Sequence, residues 1–187
     1  VFFLNEEDGT CAVAKVPSTL EDQSIGIRAG IAEQMPKLGE VSLIVHGTTV
    51  ATNALLERAG APTLLVTNQG FGDALAIGYQ NRPDLFALNI ELPEQLYRRI
   101  AEAPGRLNAT GDELAPLDEE ISAQELQAAF EDGLRSVAIV LMHGYRFPAH
   151  EQRLAEIAKA IGFTQISVSH EVSPLMKLIS IGDTTVV

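Results

Sequence analysis

The stretch Val41-Ser42-Leu43-Ile44-Val45-His46-Gly47-Thr48-Thr49-Val50-Ala51-Thr52-Asn53-Ala54-Leu55-Leu56-Glu57-Arg58-Ala59-Gly60 decides the reading of the fold. Val41 to Val45 is apolar apart from one Ser, the pattern of a strand buried on both faces. His46-Gly47-Thr48-Thr49 breaks the run, and a helix is predicted from Val50 to a C-terminal cap at Gly60. Thr63-Leu64-Leu65-Val66-Thr67 repeats the apolar strand. It is followed by Gln69-Gly70-Phe71-Gly72, a turn that opens a short helix through Ile77. Two successive units of strand, turn and helix predict an α/β fold whose sheet is at least partly parallel and covered by helices.

Upstream, Val1 to Leu4 and Ala12 to Val16 flank Asn5-Glu6-Glu7-Asp8-Gly9, which reads as a β-hairpin closed by Pro17. Ser18-Thr19 supply cap chemistry for a helix carrying Leu20, Ile25, Ile27, Ile31 and Met35 until Pro36. Downstream, residues 81–117 change character. Pro83, Pro93, Pro104 and Pro116 punctuate them, and Tyr97 to Ala101 and Arg106 to Asn108 suggest small antiparallel strands or extended loop. This segment is predicted as an excursion from the main sheet. Asp118-Glu119-Glu120 and Ser122 then start a helix, Val137 to Met142 forms a third buried strand, Ala149 to Ile161 a helix stopped by Gly162, and Ile166 to Ser169 a fourth strand.

The chain has 187 residues, 46% of them hydrophobic and 20% charged, a balance that excludes a disordered tail, a fibre and a coiled coil. Thirteen Lys and Arg against 25 Asp and Glu give a formal charge of -12. That sign opposes phosphate backbones and anionic leaflets, so nucleic acid and membrane are not expected partners. The longest uninterrupted apolar run, Val137 to Met142, is far short of the ~20 residues of a membrane helix. The single cysteine, Cys11, excludes an internal disulfide and favours the cytoplasm; lying in a predicted strand, it is expected to be a small core residue. Both ends carry apolar sequence, Val1-Phe2-Phe3-Leu4 and Thr185-Val186-Val187, and a domain truncated at each end is expected.

His46-Gly47-Thr48-Thr49 is the strongest candidate site. Ligands of open α/β sheets bind where a strand's carboxyl end opens into a helix, and the first amides of that helix favour an anion. Hydroxyls of Thr48, Thr49 and Thr52 would add donors. The same residues also suit a Thr N-cap beside a hydrogen-bonded strand-end His. His143-Gly144-Tyr145-Arg146 occupies the equivalent point on a later strand, where a ligand-facing role and a plain turn both fit. Arg82, in Asn81-Arg82-Pro83-Asp84, either clamps a carboxylate or pairs with Asp84. His150-Glu151 reads as first-turn polar chemistry. The four His lack the spacing of a zinc site, so no metal ligand set is assigned, and no catalytic residue is identified.

Taken together, Ala14-Lys15-Val16-Pro17-Ser18-Thr19, the block His46-Gly47-Thr48-Thr49-Val50-Ala51-Thr52-Asn53-Ala54-Leu55-Leu56-Glu57, Gln80-Asn81-Arg82-Pro83 and Glu171-Val172-Ser173-Pro174 resemble the N-terminal domain of the hydantoinase A and 5-oxoprolinase family. The resemblance runs nearly end to end. It implies an actin-like, ribonuclease-H-like architecture with a mixed sheet, in which this domain and a larger following one enclose ATP and Mg²⁺. Nucleotide or substrate binding is expected of His46, Gly47, Thr48, Thr49, Asn53, Arg82 and His143. The implied reaction is ATP-dependent opening of a cyclic amide or imide of the hydantoin or 5-oxoproline type, with a hydantoinase B-type subunit as partner and little activity in the chain alone. An ATP-dependent carboxylase subunit like that of acetone carboxylase keeps the same fold. A non-catalytic partner-binding domain, using the surface of residues 81–117, is the third expectation, and self-association stays open. Relatives begin with Asp-x-Gly-Gly-Thr-Phe-Thr-Asp, which this chain lacks, and Ser180-Ile181-Gly182-Asp183 stands where they often carry Arg beside Gly.

Overall fold

The computed structural model describes residues 2–17, 19, 22–34, 42–45, 47, 49–80, 86, 88–89, 92 and 94–187. They fall into two compact units, Val1–Thr48 and Thr49–Val187.

In the first unit Phe2–Leu4 (β1) pairs antiparallel with Cys11–Val13 (β2), Phe2 opposite Val13 and Leu4 opposite Cys11. Gly9 closes the turn at φ +71°, a backbone region that Gly enters at no steric cost. The expected hairpin and the helix after it, Gln23–Gln34 (α1), are both present. Two expectations fail here. Cys11 is exposed, because no layer among the described residues covers β2. The run predicted as a strand at 41–45 has no regular structure in its described part, and Leu43, Ile44 and Val45 are 72%, 63% and 85% exposed. A strand is completed only when a neighbour takes its amides and covers its side chains, and no described residue does so here.

The second unit starts with Val50–Leu56 (α2), which stops before the expected Gly60. Arg58 takes the left-handed turn at φ 51°, with its N–H bonded to Leu55 O and that of Ala59 to Ala54 O. These are the two bonds of a Schellman motif, normally completed by Gly. Thr63–Asn68 (β3), Ala74–Ile77 (α3) and Tyr97–Ala103 (β4) follow. Next come Arg106–Leu107 (β5), Glu113–Ala115 (β6) and Glu119–Glu131 (α4). Ser136–Val140 (β7), Ala149–Ile161 (α5), Gln165–Val168 (β8), Ser169–Val172 (α6) and Leu178–Val186 (α7) complete the unit.

The main sheet has the order β4-β3-β7-β8 and every pairing in it is parallel. Antiparallel pairing is confined to β1-β2 and β5-β6. The expected excursion at 81–117 is therefore corrected: β4 is an edge strand of the main sheet, and β5 with β6 is the separate part. The alternating charges of Tyr97-Arg98-Arg99-Ile100-Ala101-Glu102-Ala103 reflect a half-exposed edge, whereas all six residues of β3 are buried.

Strand alternation sorts the core. Leu64, Val66, Val137 and Ile139 pack under Leu126 and Ala129 of α4 and Leu154 and Ala158 of α5, while Leu65 and Val140 meet Leu75 of α3 and Ile181 of α7 on the opposite face. From β3 the chain moves to β4 one way, then back across β3 to β7 and on to β8. Right-handed crossovers require the covering helix to change face when the direction reverses, and α3 lies opposite α4 and α5 accordingly. Asp118 caps α4, its carboxylate accepting from Ile121 N at 3.0 Å. Gly162, at φ 116°, ends α5 where predicted. Among the described residues no helix is long and apolar enough to cross a membrane.

Candidate functional site

A reversal of strand order opens a crevice at the carboxyl ends of the strands on either side of it, because the loops there leave toward opposite faces. In this sheet that point lies between β3 and β7. Asn68, the last residue of β3, is buried, and its side-chain amide joins three loops: Nδ2 donates to Gly105 O at 2.8 Å and Oδ1 accepts from Met142 N at 2.7 Å. The preceding amide, Leu141 N, donates to Glu151 Oε1 at 2.8 Å. Two successive amides beyond β7 are thus held by side chains from β3 and from α5.

His143 follows directly, at φ 65°. The left-handed region costs a non-Gly residue of order 1–3 kcal/mol and persists only where surrounding structure over-determines it. Here the two bonds on Leu141 and Met142 fix the residue from one side. Its carbonyl, accepting from Arg146 N at 3.1 Å and Phe147 N at 2.9 Å, fixes it from the other. Across the crevice, the turn after β3 is closed by Phe71 N donating to Asn68 O at 3.0 Å and by Gly72 N donating to Glu102 Oε1 at 2.8 Å. A Cβ on Gly72 would lie 2.7 Å from that oxygen, so a side chain there would displace the Glu102 carboxylate. Arg106 stacks over the Phe71 ring, 4.5 Å from its centroid.

Behind this edge sit residues that sequence reasoning passed over. Glu151 is fully buried in the first turn of α5, accepts from Ser169 Oγ at 2.6 Å and His170 N at 3.2 Å, and lies 2.7 Å from His170 Nδ1. Its neighbour His150 points elsewhere, with Nε2 2.8 Å from Glu113 Oε1 on β6. The signal was present in the spacing: Glu151 shares the buried stripe of α5 with Leu154 and Ala158, one turn and two turns on.

Of the sequence candidates, His143 lies at this edge. Thr49 stands at the N-cap position of α2, and its side chain makes no capping bond. Asn53 is one turn on, its N–H donating to Thr49 O at 2.8 Å, and both side chains are exposed, as is that of Thr52. Gly47 is exposed, with nothing within 4 Å of a Cβ placed on it. His46, Thr48 and Arg82 lie outside the described residues. A separate cavity of about 320 Å³ lies at the other end of β4, lined by Leu75, Tyr79, Tyr97, Ile179 and Asp183 among others. Burial raises the Tyr97 phenol above its ordinary range, helped by the charges of Asp183 and Asp73, and burial also raises the Asp183 carboxyl.

Residues 1–162 match the model of the hydantoinase/oxoprolinase N-terminal region. The chain belongs to the hydantoinase/oxoprolinase family. Among members of the family, it is 40% identical to the 5-oxoprolinase of Dictyostelium discoideum over 79% of this chain and 14% of that protein. The crystal structure of the ATP-dependent caprolactamase from Pseudomonas jessenii superposes with a TM-score of 0.81 at 30% identity, covering 98% of this chain and 28% of that one. A nucleotide-free acetone carboxylase gives a TM-score of 0.82 at 22% identity over 99% of this chain and 29% of that one, a likeness of fold alone. The chain therefore spans well under a third of each of these relatives, and with them it shares an α/β fold built on a mostly parallel sheet.

Proposed function

We propose that this chain is the N-terminal region of an ATP-dependent enzyme that opens a cyclic amide, and that the crevice between β3 and β7 is part of its ligand wall. The observation that carries the reading is the likeness to the ATP-dependent caprolactamase over 98% of the chain. Membership of the 5-oxoprolinase family points to the same reaction class. His143, held in a strained conformation at the crevice, is proposed to face the ligand. His46, Gly47, Thr48, Thr49, Asn53 and Arg82 are proposed to contribute as the resemblance implies. We also propose an actin-like architecture for the whole protein, a hydantoinase B-type subunit as its partner and the cytoplasm as its setting, the last supported by the single cysteine.

Among the described residues no three His, Cys, Asp or Glu side chains converge to hold a metal ion. The amides of Gln69, Phe71 and Gly72 are already bonded to Ala103 O, Asn68 O and Glu102 Oε1.

The test is substrate-dependent ADP release by the full-length protein containing this chain, with Mg-ATP and each of 5-oxoproline, hydantoin and caprolactam. Release with at least one ring is expected; none with any ring overturns the proposal, and a strict bicarbonate requirement replaces hydrolysis by carboxylation. His143→Gly removes the imidazole while keeping the turn, since φ 65° costs Gly nothing. It is expected to lower ADP release at least about 10-fold with unfolding stability unchanged or raised.

A further inference from the structure

A carboxylate taken fully out of water must recover its hydrogen bonds inside the protein. Glu151 does so with four donors, and they tie together the ends of two neighbouring strands: Leu141 N after β7, and Ser169 Oγ, His170 N and His170 Nδ1 after β8. An ionised carboxylate only accepts, so against it Nδ1 donates, and in the neutral form of the ring the lone pair then sits on Nε2. Among the described residues Nε2 has no hydrogen bond; the nearest carboxylate, Glu171 Oε1, is 3.9 Å away and belongs to a side chain that is 75% exposed. The His170 side chain itself is 12% exposed, and it follows directly on the end of β8.

We infer that His170 is a ligand-contacting residue whose Nε2 accepts a proton from an N–H or O–H group of the bound substrate, and that Glu151 is its positioning residue. The arrangement goes beyond a staple. Ser169 and the two backbone amides already satisfy the carboxylate, and spending a fourth contact on a ring nitrogen fixes which nitrogen faces outward. The same carboxylate holds Leu141 N, one residue before the amide that Asn68 holds, so the turn carrying His143 and the ring of His170 are set by one continuous network across the ends of β3, β7 and β8. On proton transfer the donor atom keeps its bonding pair, Nε2 gains the proton, and the imidazolium is balanced by Glu151, with Glu171 the only other titratable group facing it among the described residues. No further reactant is required. The ligand half of this inference rests on the cyclic-amide reading, since a lactam N–H is such a donor; the tautomer does not.

Two-bond proton–nitrogen NMR on the ¹⁵N-histidine-labelled chain reads the tautomer directly. The proton on Nδ1 of His170 is expected. Glu151→Gln would keep its oxygen toward Leu141 and Ser169 and turn its NH₂ toward the ring, so it should move the proton to Nε2. Ser169→Ala removes a bond to the same carboxylate and should leave the tautomer unchanged, which separates loss of structure from loss of positioning. A wild-type ring protonated on Nε2, or a folded Glu151→Gln chain with no inversion, overturns the inference. In the full-length protein, turning over whichever ring is its substrate, His170→Ala should lower kcat about 100-fold. Adding Glu151→Gln to it should cost nothing more, because the two act as a unit. An unchanged kcat in His170→Ala overturns the ligand role, whereas an unsubstituted protein that turns over no ring overturns the cyclic-amide reading and leaves the tautomer to decide the role of Glu151.

Discussion

Two apolar runs in this chain end on His-Gly: Leu43-Ile44-Val45-His46-Gly47 and Val140-Leu141-Met142-His143-Gly144. Along the sequence they are near twins, each followed within a few residues by a helix. Their physical situations are opposite. Ser136 to Val140 is a buried strand with a parallel neighbour on each side, its end pinned by Asn68 and Glu151. Leu43 to Val45 has exposed side chains and no regular structure. The difference teaches that an apolar run states a demand for partners, and that the partners decide whether it becomes a strand.

The comparison breaks most sharply on matched truncations. Ile139→Ala, at a site with no exposure, should cost about 2–5 kcal/mol in urea unfolding, while Ile44→Ala should stay within about 0.5 kcal/mol. Equal losses would mean that Ile44 is covered in solution. A smaller effect is expected from Asn68→Ala, which leaves Met142 N and Gly105 O without their partner and should cost about 1–3 kcal/mol. Amides 141–144 should then exchange with solvent faster while those of β7 itself stay protected.

The smallest effect concerns the helix covering β7. Asp183 on α7 has its carboxyl raised by burial. A raised folded value gives stability that is complete below the unfolded value of 3.8 and is lost as pH rises through the folded one. Asp183→Asn should therefore raise the unfolding midpoint slightly near pH 7 and leave it unmoved at about pH 2.5. A gain at the acid end alone would invert that sign.

The sequence made β3, β7, α4 and α5 legible because their signals are local: unbroken apolar runs, Asp118 at a cap, Gly162 at a stop. It hid β4, whose pairing with β3 joins Tyr97 to Thr63 and depends on contacts distant in the chain. For the candidate site, the position of His143 at a strand end was legible from the buried run before it. Glu151 and His170 were not, because a Glu in a first helical turn normally answers the helix dipole in water, and only the packing of α5 turns this one inward.

The order in which the chain is made sets a problem for β3. It is flanked on both sides by strands that come later, and Asn68 waits 74 residues for Met142. At ribosomal speeds the delay is roughly 4–15 s. Until β4 is made the Leu64-Leu65-Val66 segment has no strand beside it, and until β7 follows one edge of it stays open, which makes it a natural resting place for a chaperone and the stretch where crowded synthesis would first go astray.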